Sequence, residues 1–124
     1  MSQIYYDTTN LPSGMTYKNP KAWGKQYWDR FFQVAASYPM NPTYHDKQRY
    51  KKFYAYYLTS LPCSICNVSY QKFWNQLNID NYLSSRKHLL YWVFELKNKV
   101  NDKLRAQGEV IRYTTFEKVY NRYV

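Results

Sequence analysis

The sequence predicts an all-α fold, a four-helix bundle with a short fifth helix, in a chain of 124 residues. Apolar and aromatic residues recur at helical spacing in five segments after residue 21. The alternation of apolar and polar residues that is typical of strands is nearly absent. The connections between the segments are short, which favours antiparallel neighbouring helices.

Residues 1–21 are predicted to form an irregular N-terminal arm, because turn-forming residues are frequent there. The turn formers are Asn10, Pro12, Ser13, Gly14, Asn19 and Pro20. Residues 22–124 are then expected to form a single helical domain around one core.

Each of the first two predicted helices carries one buried stripe. The first stripe consists of Tyr27, Phe31, Val34, Ala35 and Tyr38. Pro39 and Pro42 end that helix, because proline does not continue a helix. The second stripe consists of Tyr50, Phe53, Tyr54, Tyr57, Leu58 and Leu61.

Boundary residues define the last three predicted helices. Pro62 suits the first turn of the third helix, whose stripe consists of Cys63, Cys66, Tyr70, Phe73 and Leu77. Ser84 or Ser85 can cap the fourth helix, and Gly108 ends it. Its buried face consists of Leu89, Trp92, Val93, Leu96, Val100 and Leu104. Thr114 and Glu117 are expected to form a capping box for the fifth helix, whose apolar residues are Phe116, Val119, Tyr120 and Tyr123.

The chain has two cysteines, Cys63 and Cys66, three residues apart at the predicted start of the third helix. A helix N-terminus lowers a thiol pKa toward the reactive thiolate, so the pair indicates redox exchange. No metal site is expected, because His45 and His88 do not form the second ligand pair that zinc needs. Two structural thiols would not explain the Pro-Cys-x-x-Cys arrangement, and a thioredoxin-like fold would place the motif after a strand.

The net charge is +10, from 18 Lys and Arg against 8 Asp and Glu. Such a surface attracts nucleic acid, anionic membranes or phosphorylated ligands, although the same charges can simply form a solvated surface. The N-terminus lacks the pattern of a signal peptide, and no apolar run approaches the ~20 residues that span a bilayer. A soluble intracellular protein is therefore expected.

Four pieces of sequence carry a family resemblance. The fourth helix contains Trp92 and then Asn98-x-Val100-Asn101-x-x-Leu104. Upstream stand Trp23-Gly24 to Trp28 and Phe31-Phe32, then Tyr38-Pro39 with Pro42-Thr43, then Leu61-Pro62-Cys63. In order and spacing these pieces resemble the Erv/ALR sulfhydryl oxidases over roughly residues 22–122, and the small size is similar to the virus-encoded branch. The chain departs from the family pattern at Phe32 and Lys97, where histidine is usual.

The resemblance implies FAD bound at the mouth of the bundle. The residues implied to contact FAD are Gly24, Trp28, Phe32, Tyr38, Cys66, Trp92, Lys97, Asn98, Val100, Asn101, Lys103 and Leu104. Trp28 and Tyr38 would lie along the flavin. On the adenine and phosphate side the resemblance implies Trp92, Lys97, Asn98, Val100, Asn101 and Lys103.

The resemblance also implies unequal roles for the two cysteines. Cys63 would exchange with a dithiol of a protein substrate or of a small relay protein, and Cys66 would pass electrons to FAD, which reduces O2 to hydrogen peroxide. A homodimer is implied, without a linking disulfide because the chain has no further cysteine.

Two functions from different classes follow. The first is an FAD-dependent thiol oxidase that forms disulfide bonds in protein substrates, for which nucleic acid is not an expected partner. The alternative is a basic nucleic-acid-binding or structural virion module with an incidental dithiol. A viral protein would act in the host cytoplasm or in the virion.

Overall fold

The computed structural model describes residues 23–124, and the predicted N-terminal arm lies outside them. The helices are α1 (Gly24–Ala36), α2 (Tyr44–Tyr56), α3 (Ser64–Gln76), α4 (Arg86–Ala106) and α5 (Phe116–Tyr123), with a 3-10 helix at Ile79–Tyr82. Residues 23–124 contain no strand. The all-α prediction is therefore confirmed, with its five α-helices in the expected order.

The longest helix, α4, contacts more of the other helices than α1 or α5 does. It packs against α1, the 3-10 helix and α5, and α1 also contacts α5. The side chains that α4 buries are Leu89, Leu90, Trp92, Val93 and Leu96. Their spacing of three and four residues forms one apolar stripe, which is why a single helix can serve as the centre of the core.

The core is rich in tyrosine and tryptophan, and several of their polar atoms donate to backbone carbonyls. The hydroxyl of Tyr54 donates to the carbonyl of Phe31 at 2.7 Å, and that of Tyr70 donates to the carbonyl of Tyr54 at 2.8 Å. Trp92 Nε1 donates to the carbonyl of Leu77 at 2.9 Å. These bonds let polar rings be buried without the cost of an unpaired donor.

Two helix boundaries agree with the sequence prediction. Ser85 is the N-cap of α4, and its side chain accepts a hydrogen bond from the N–H of His88. Gly108 follows the end of α4 with a φ of +92°, a conformation that favours glycine.

Other boundaries differ from the prediction. Pro62 lies before α3 rather than in its first turn, and Cys63 is the N-cap instead of a helical residue. Thr115, not Thr114, caps α5 by accepting from the N–H of Lys118, because the helix starts one residue later than expected.

The second helix also ends earlier than its stripe suggests. α2 stops at Tyr56, so the last three residues of the predicted stripe lie in the connection between α2 and α3. It begins with a capping box that the sequence reading missed, in which Thr43 and Asp46 exchange hydrogen bonds of 3.1 and 2.9 Å.

Two further features bear on function. Between residues 23 and 124, none of the helices combines the length and the apolar character needed to cross a membrane. The same part of the chain holds no group of three or more His, Cys, Asp or Glu side chains placed to bind a metal ion.

Candidate active site

The two cysteines stand at the start of α3. Cys63 is the N-cap, and its Sγ accepts a hydrogen bond from the backbone N–H of Cys66 at 3.2 Å. The turn before the helix is held by Asn67, whose Oδ1 accepts from the N–H of Leu61 at 2.9 Å. Both cysteines are free thiols, Cys63 with 6% of its surface exposed and Cys66 partly buried. Their spacing places both on one side of the first helical turn, where a disulfide can close.

Cys66 forms part of the wall of a cavity between aromatic and aliphatic side chains, here called the aromatic cavity. Its lining residues are Trp23, Gly24, Tyr27, Trp28, Phe31, Leu61, Cys66, Ser69, Tyr70, Phe73, Leu96, Val100, Lys103 and Leu104. They come from α1, α3, α4 and the turn before α3. A flat aromatic group suits such a lining, because ring faces and aliphatic side chains can cover both of its sides.

A second cavity has a polar lining and is here called the polar cavity. Its lining residues are Lys25, Trp28, Asp29, Phe32, Phe94, Lys97, Asn98, Asn101, Arg112, Thr114, Val119, Arg122 and Tyr123. Four of them are cations and one is acidic, so the cavity favours an anion such as a phosphate group. Trp28 lines both cavities, which therefore adjoin at its ring.

Lys97 stands where the sequence resemblance led us to expect histidine. Its Nζ lies 5.9 Å from the centroid of the Trp28 ring and 5.9 Å from that of the Phe32 ring. Burial lowers the pKa of Lys97, and the nearby carboxylate of Asp29 opposes that shift. Phe32 in turn stacks on Tyr123 with ring centroids 5.1 Å apart. This part of the polar cavity thus has stacked rings and the cation of Lys97 where the family pattern has histidines.

The structure divides the predicted contact residues between the two cavities. On the aromatic cavity lie Gly24, Trp28, Cys66, Val100, Lys103 and Leu104. On the polar cavity lie Trp28, Phe32, Lys97, Asn98 and Asn101. Val100 and Lys103 line the aromatic cavity together with Cys66, and neither lines the polar cavity.

Tyr38 and Trp92 are placed away from both cavities. Each has 0% of its surface exposed. The hydroxyl of Tyr38 donates to the carbonyl of Leu83 at 2.7 Å, and Trp92 Nε1 is bound to Leu77 as described above. Neither residue lines the aromatic or the polar cavity, and their expected contact with the cofactor stays a prediction.

Sequence reasoning missed most of the aromatic wall and the basic residues near the C-terminus. Trp23, Tyr27 and Phe31 recur every four residues along α1, but a cavity wall and a core have the same helical period. Arg112 and Arg122 carried no local signal. Arg122 reaches the polar cavity on α5, which packs against both α1 and α4, and Arg112 reaches it from the segment that connects α4 with α5.

The pKa of the Cys66 thiol is raised to about 12. Burial is the largest cause, followed by the hydrogen bond with Cys63, while the positive charge of Lys103 lowers the pKa. The sequence predicts a pKa lowered by the helix N-terminus, and for Cys66 that prediction is wrong. The main reason is that the buried thiolate loses its hydration.

This shift predicts an unusual pH profile for alkylation of Cys66 in cofactor-free protein. In Cys63→Ser, Cys66 is the single thiol, and burial still disfavours its thiolate. The rate of reaction with iodoacetamide should therefore keep rising with pH beyond ~9, where an ordinary thiol near pKa ~8.5 levels off. The same variant unfolded in urea is the control and should show the ordinary profile. A plateau near pH ~9 in the folded protein would contradict the raised pKa.

Comparison with known proteins identifies the family. A sequence model described as the Erv1/Alr family matches residues 25–122, most of the chain. The chain belongs to the Erv1/Alr family. A relative from Acanthamoeba polyphaga mimivirus, described as a probable FAD-linked sulfhydryl oxidase, is 39% identical over 84 residues, covering 67% of this chain and 59% of the relative. The mitochondrial FAD-linked sulfhydryl oxidase Erv1 of Saccharomyces cerevisiae is 33% identical over 100 residues, covering 77% of this chain and 52% of the relative.

Solved structures agree with the family assignment. The crystal structure of the yeast Erv1 core superposes with a TM-score of 0.76 at 27% identity, covering 95% of this chain and 89% of that chain. The FAD-binding domain of Erv1 from S. cerevisiae superposes with a TM-score of 0.74 at 29% identity, covering 83% of this chain and 91% of that chain. This Erv1/Alr chain spans little more than half the length of the two full relatives above.

Proposed function

We propose that this Erv1/Alr chain is an FAD-dependent thiol oxidase that forms disulfide bonds in protein substrates. The observation that carries the proposal is the position of Cys66 on the wall of an aromatic cavity that adjoins a basic one at Trp28. The relatives named as FAD-linked sulfhydryl oxidases support it. A nucleic-acid-binding module is disfavoured, because the cations of the polar cavity line an enclosed space next to the aromatic cavity rather than an extended face.

The chemistry of the two cavities fits the two halves of FAD. The isoalloxazine ring is flat and largely apolar, and we place it in the aromatic cavity against Trp28 and Cys66. The pyrophosphate is anionic, and we assign it to Lys97, Arg112 and Arg122 in the polar cavity. Bound FAD supplies an acceptor for two electrons, which pass on to O2 as hydrogen peroxide.

The protein's own thiols carry the exchange with substrate. A substrate thiolate attacks Sγ of Cys63 in the Cys63–Cys66 disulfide, the S–S bond breaks, and Cys66 leaves as a thiolate. The second substrate thiol then attacks the mixed disulfide, which yields the substrate disulfide and the thiolate of Cys63. Because Cys63 is 6% exposed, its immediate surroundings must shift to admit the attacking sulfur. The two electrons leave the dithiol through Cys66, which lines the cavity.

Lys103 is placed to support the charge on Cys66. Its Nζ donates to Ser69 Oγ at 2.6 Å, one helical turn from Cys66, and it lines the same cavity. Its positive charge lowers the pKa of Cys66 against the effect of burial. The ammonium group therefore stabilises the thiolate that each substrate attack releases.

The purified protein should be yellow, with flavin absorbance near ~450 nm. Trp28→Ala should release most of this flavin, because the ring of Trp28 lines both cavities and the variant opens the wall between them. We expect the Kd for FAD, measured by titration of the cofactor-free protein, to rise at least about tenfold, in line with the loss of one aromatic stacking contact.

The matched control is Tyr44→Ala, an aromatic truncation at a side chain with 71% of its surface exposed and no place in either cavity. Its FAD affinity should equal that of the wild type. Colourless protein that gains no flavin absorbance on addition of FAD would remove the proposed function altogether.

Wider features of the assembly are part of the same proposal. We infer that α1 to α4 form the four-helix bundle, that FAD lies at its mouth, and that residues 22–124 act as one oxidase domain. A non-covalent homodimer is expected, since both cysteines of the chain belong to the dithiol. Viral relatives support a viral source and action in the host cytoplasm or virion. The electron donor is a protein dithiol or a small relay protein, and O2 is the acceptor.

A further inference from the structure

An open groove runs between the outer sides of α3 and α4, and we call it the lysine groove. Its lining residues are Ser69, Lys72, Phe73, Gln76, Lys99, Asp102 and Lys103. Ser69, Phe73 and Lys103 also line the aromatic cavity. The lysine groove therefore adjoins the aromatic cavity that Cys66 lines.

Two of the three lysines of the groove donate hydrogen bonds to neutral groups rather than to carboxylates. Lys99 Nζ donates to Gln76 Oε1 at 3.3 Å, and Lys103 Nζ donates to Ser69 Oγ at 2.6 Å. The ion pairs found among residues 23–124 lie on other surfaces. The groove's single carboxylate, Asp102, accepts a hydrogen bond from the hydroxyl of Tyr113 at 2.6 Å. The groove thus presents a net positive charge to solvent.

The first turns of α3, between the dithiol and the residues of the groove, carry exposed apolar side chains. Ile65 and Val68 in the first turns of α3 have 69% and 66% of their surfaces exposed. Ile65, Ser69, Lys72 and Gln76 follow one another at spacings of four, three and four residues, so they form one stripe along α3. From the dithiol outward, this stripe changes from apolar to basic.

We propose that the lysine groove binds an acidic segment of the protein whose dithiol is oxidised, with Ile65 and Val68 contacting an apolar residue beside the substrate cysteine. This inference rests on the proposed function and names the class of its substrate. Lys72 lies ~13 Å along α3 from Cys63, at ~1.5 Å per residue of helix. An extended chain rises ~3.3 Å per residue, so the acidic residues stand about four positions from the attacking cysteine.

Two synthetic dithiol peptides of equal length test the proposal. Both carry the same Cys-x-x-Cys segment and one neighbouring leucine, and one has three glutamates four positions away where the other has three lysines. Dithiothreitol, which is small and uncharged, is the reference substrate. We expect the KM of the acidic peptide to be about tenfold below that of the basic peptide, with similar kcat, because charge complementarity acts on encounter and docking. The difference should shrink as salt rises from ~0.05 to ~0.5 M.

Charge reversal in the groove should remove the preference. In Lys72→Glu/Lys99→Glu, the KM of the acidic peptide should rise about tenfold while the rate with dithiothreitol stays unchanged. The control is Lys87→Glu/Lys118→Glu, which makes the same change of charge at two exposed lysines outside the groove. If the double variant loses its flavin absorbance, Lys72→Glu alone is used, because Lys72 is exposed and its replacement leaves the core intact.

The outcomes separate the two proposals. Wild-type protein that fails to oxidise dithiothreitol would remove the oxidase function. If dithiothreitol is oxidised but the two peptides have equal KM values, the acidic-substrate proposal is wrong and the oxidase function stands. The same conclusion follows if the groove variant and its control have equal KM values for the acidic peptide. A short single-stranded oligonucleotide serves as competitor. Its inhibition of basic-peptide oxidation is compared with that by a cysteine-free acidic peptide. Stronger inhibition by the oligonucleotide, lost in Lys72→Glu/Lys99→Glu, would show that the groove binds nucleic acid instead.

Discussion

Cys66→Ser should lower the turnover of dithiol oxidation by about a thousandfold or more, because no thiol then remains to connect Cys63 with the aromatic cavity. Cys63→Ser should have an equally large effect, since a lone Cys66 cannot form the intramolecular disulfide. The measurement is oxygen consumption with a saturating dithiol. Both variants should keep their flavin absorbance, because most of the cavity lining is unchanged.

The two variants should differ in how they capture a substrate. The probe is a peptide whose single cysteine forms a mixed disulfide with a chromophoric thiol. When a thiol of the protein captures the peptide, the chromophoric thiol is released and its absorbance is measured. Cys66→Ser, which retains Cys63, should capture this peptide faster than Cys63→Ser. The reason is that the attacking species is the thiolate, and the raised pKa of Cys66 makes its thiolate scarce. Ser64→Ala, at an exposed position of the first turn, is the control and should turn over normally. Faster capture by Cys63→Ser would exchange the roles assigned to the two cysteines.

Trp92→Ala should lower the free energy of unfolding by about 3–5 kcal/mol. Its ring is fully buried and packs edge-on against Tyr54 and Trp74, with centroid distances of 5.0 and 5.9 Å. Truncation leaves a cavity at the centre of the core and leaves the carbonyl of Leu77 without its donor. Urea unfolding monitored by circular dichroism, in the presence of saturating FAD for every variant, gives the difference.

A milder variant separates the structural role of Trp92 from contact with the cofactor. Trp92→Phe keeps a ring in the core but removes the bond to Leu77, so it should cost about 1–3 kcal/mol and leave the Kd for FAD unchanged. Tyr44→Ala again serves as the exposed control and should stay within about 0.5 kcal/mol of the wild type. If Trp92→Phe loses FAD affinity while its free energy of unfolding is unchanged, Trp92 contacts the cofactor.

Local sequence was enough to predict the helices and the dithiol. The stripe from Leu89 to Leu96 specified a buried face of α4, and Ser85 and Gly108 marked its ends. These features depend on neighbours within one or two helical turns, which is the range over which helical period and capping act. Where two capping residues stood side by side, as at Thr114 and Thr115, the local pattern did not determine which one caps the helix.

The sequence by itself determined that this protein is helical, that it carries a single dithiol at a helix start, and that it resembles the Erv/ALR oxidases. Only the tertiary structure decided which residues line the cleft. In the tertiary structure Tyr38 and Trp92 are buried, and Lys103 lines the same cavity as Cys66. Arg112 and Arg122 line the polar cavity. The raised pKa of Cys66 is also a result of the tertiary structure. Helical spacing states which residues share a face, whereas burial and hydration depend on what the rest of the chain packs against that face.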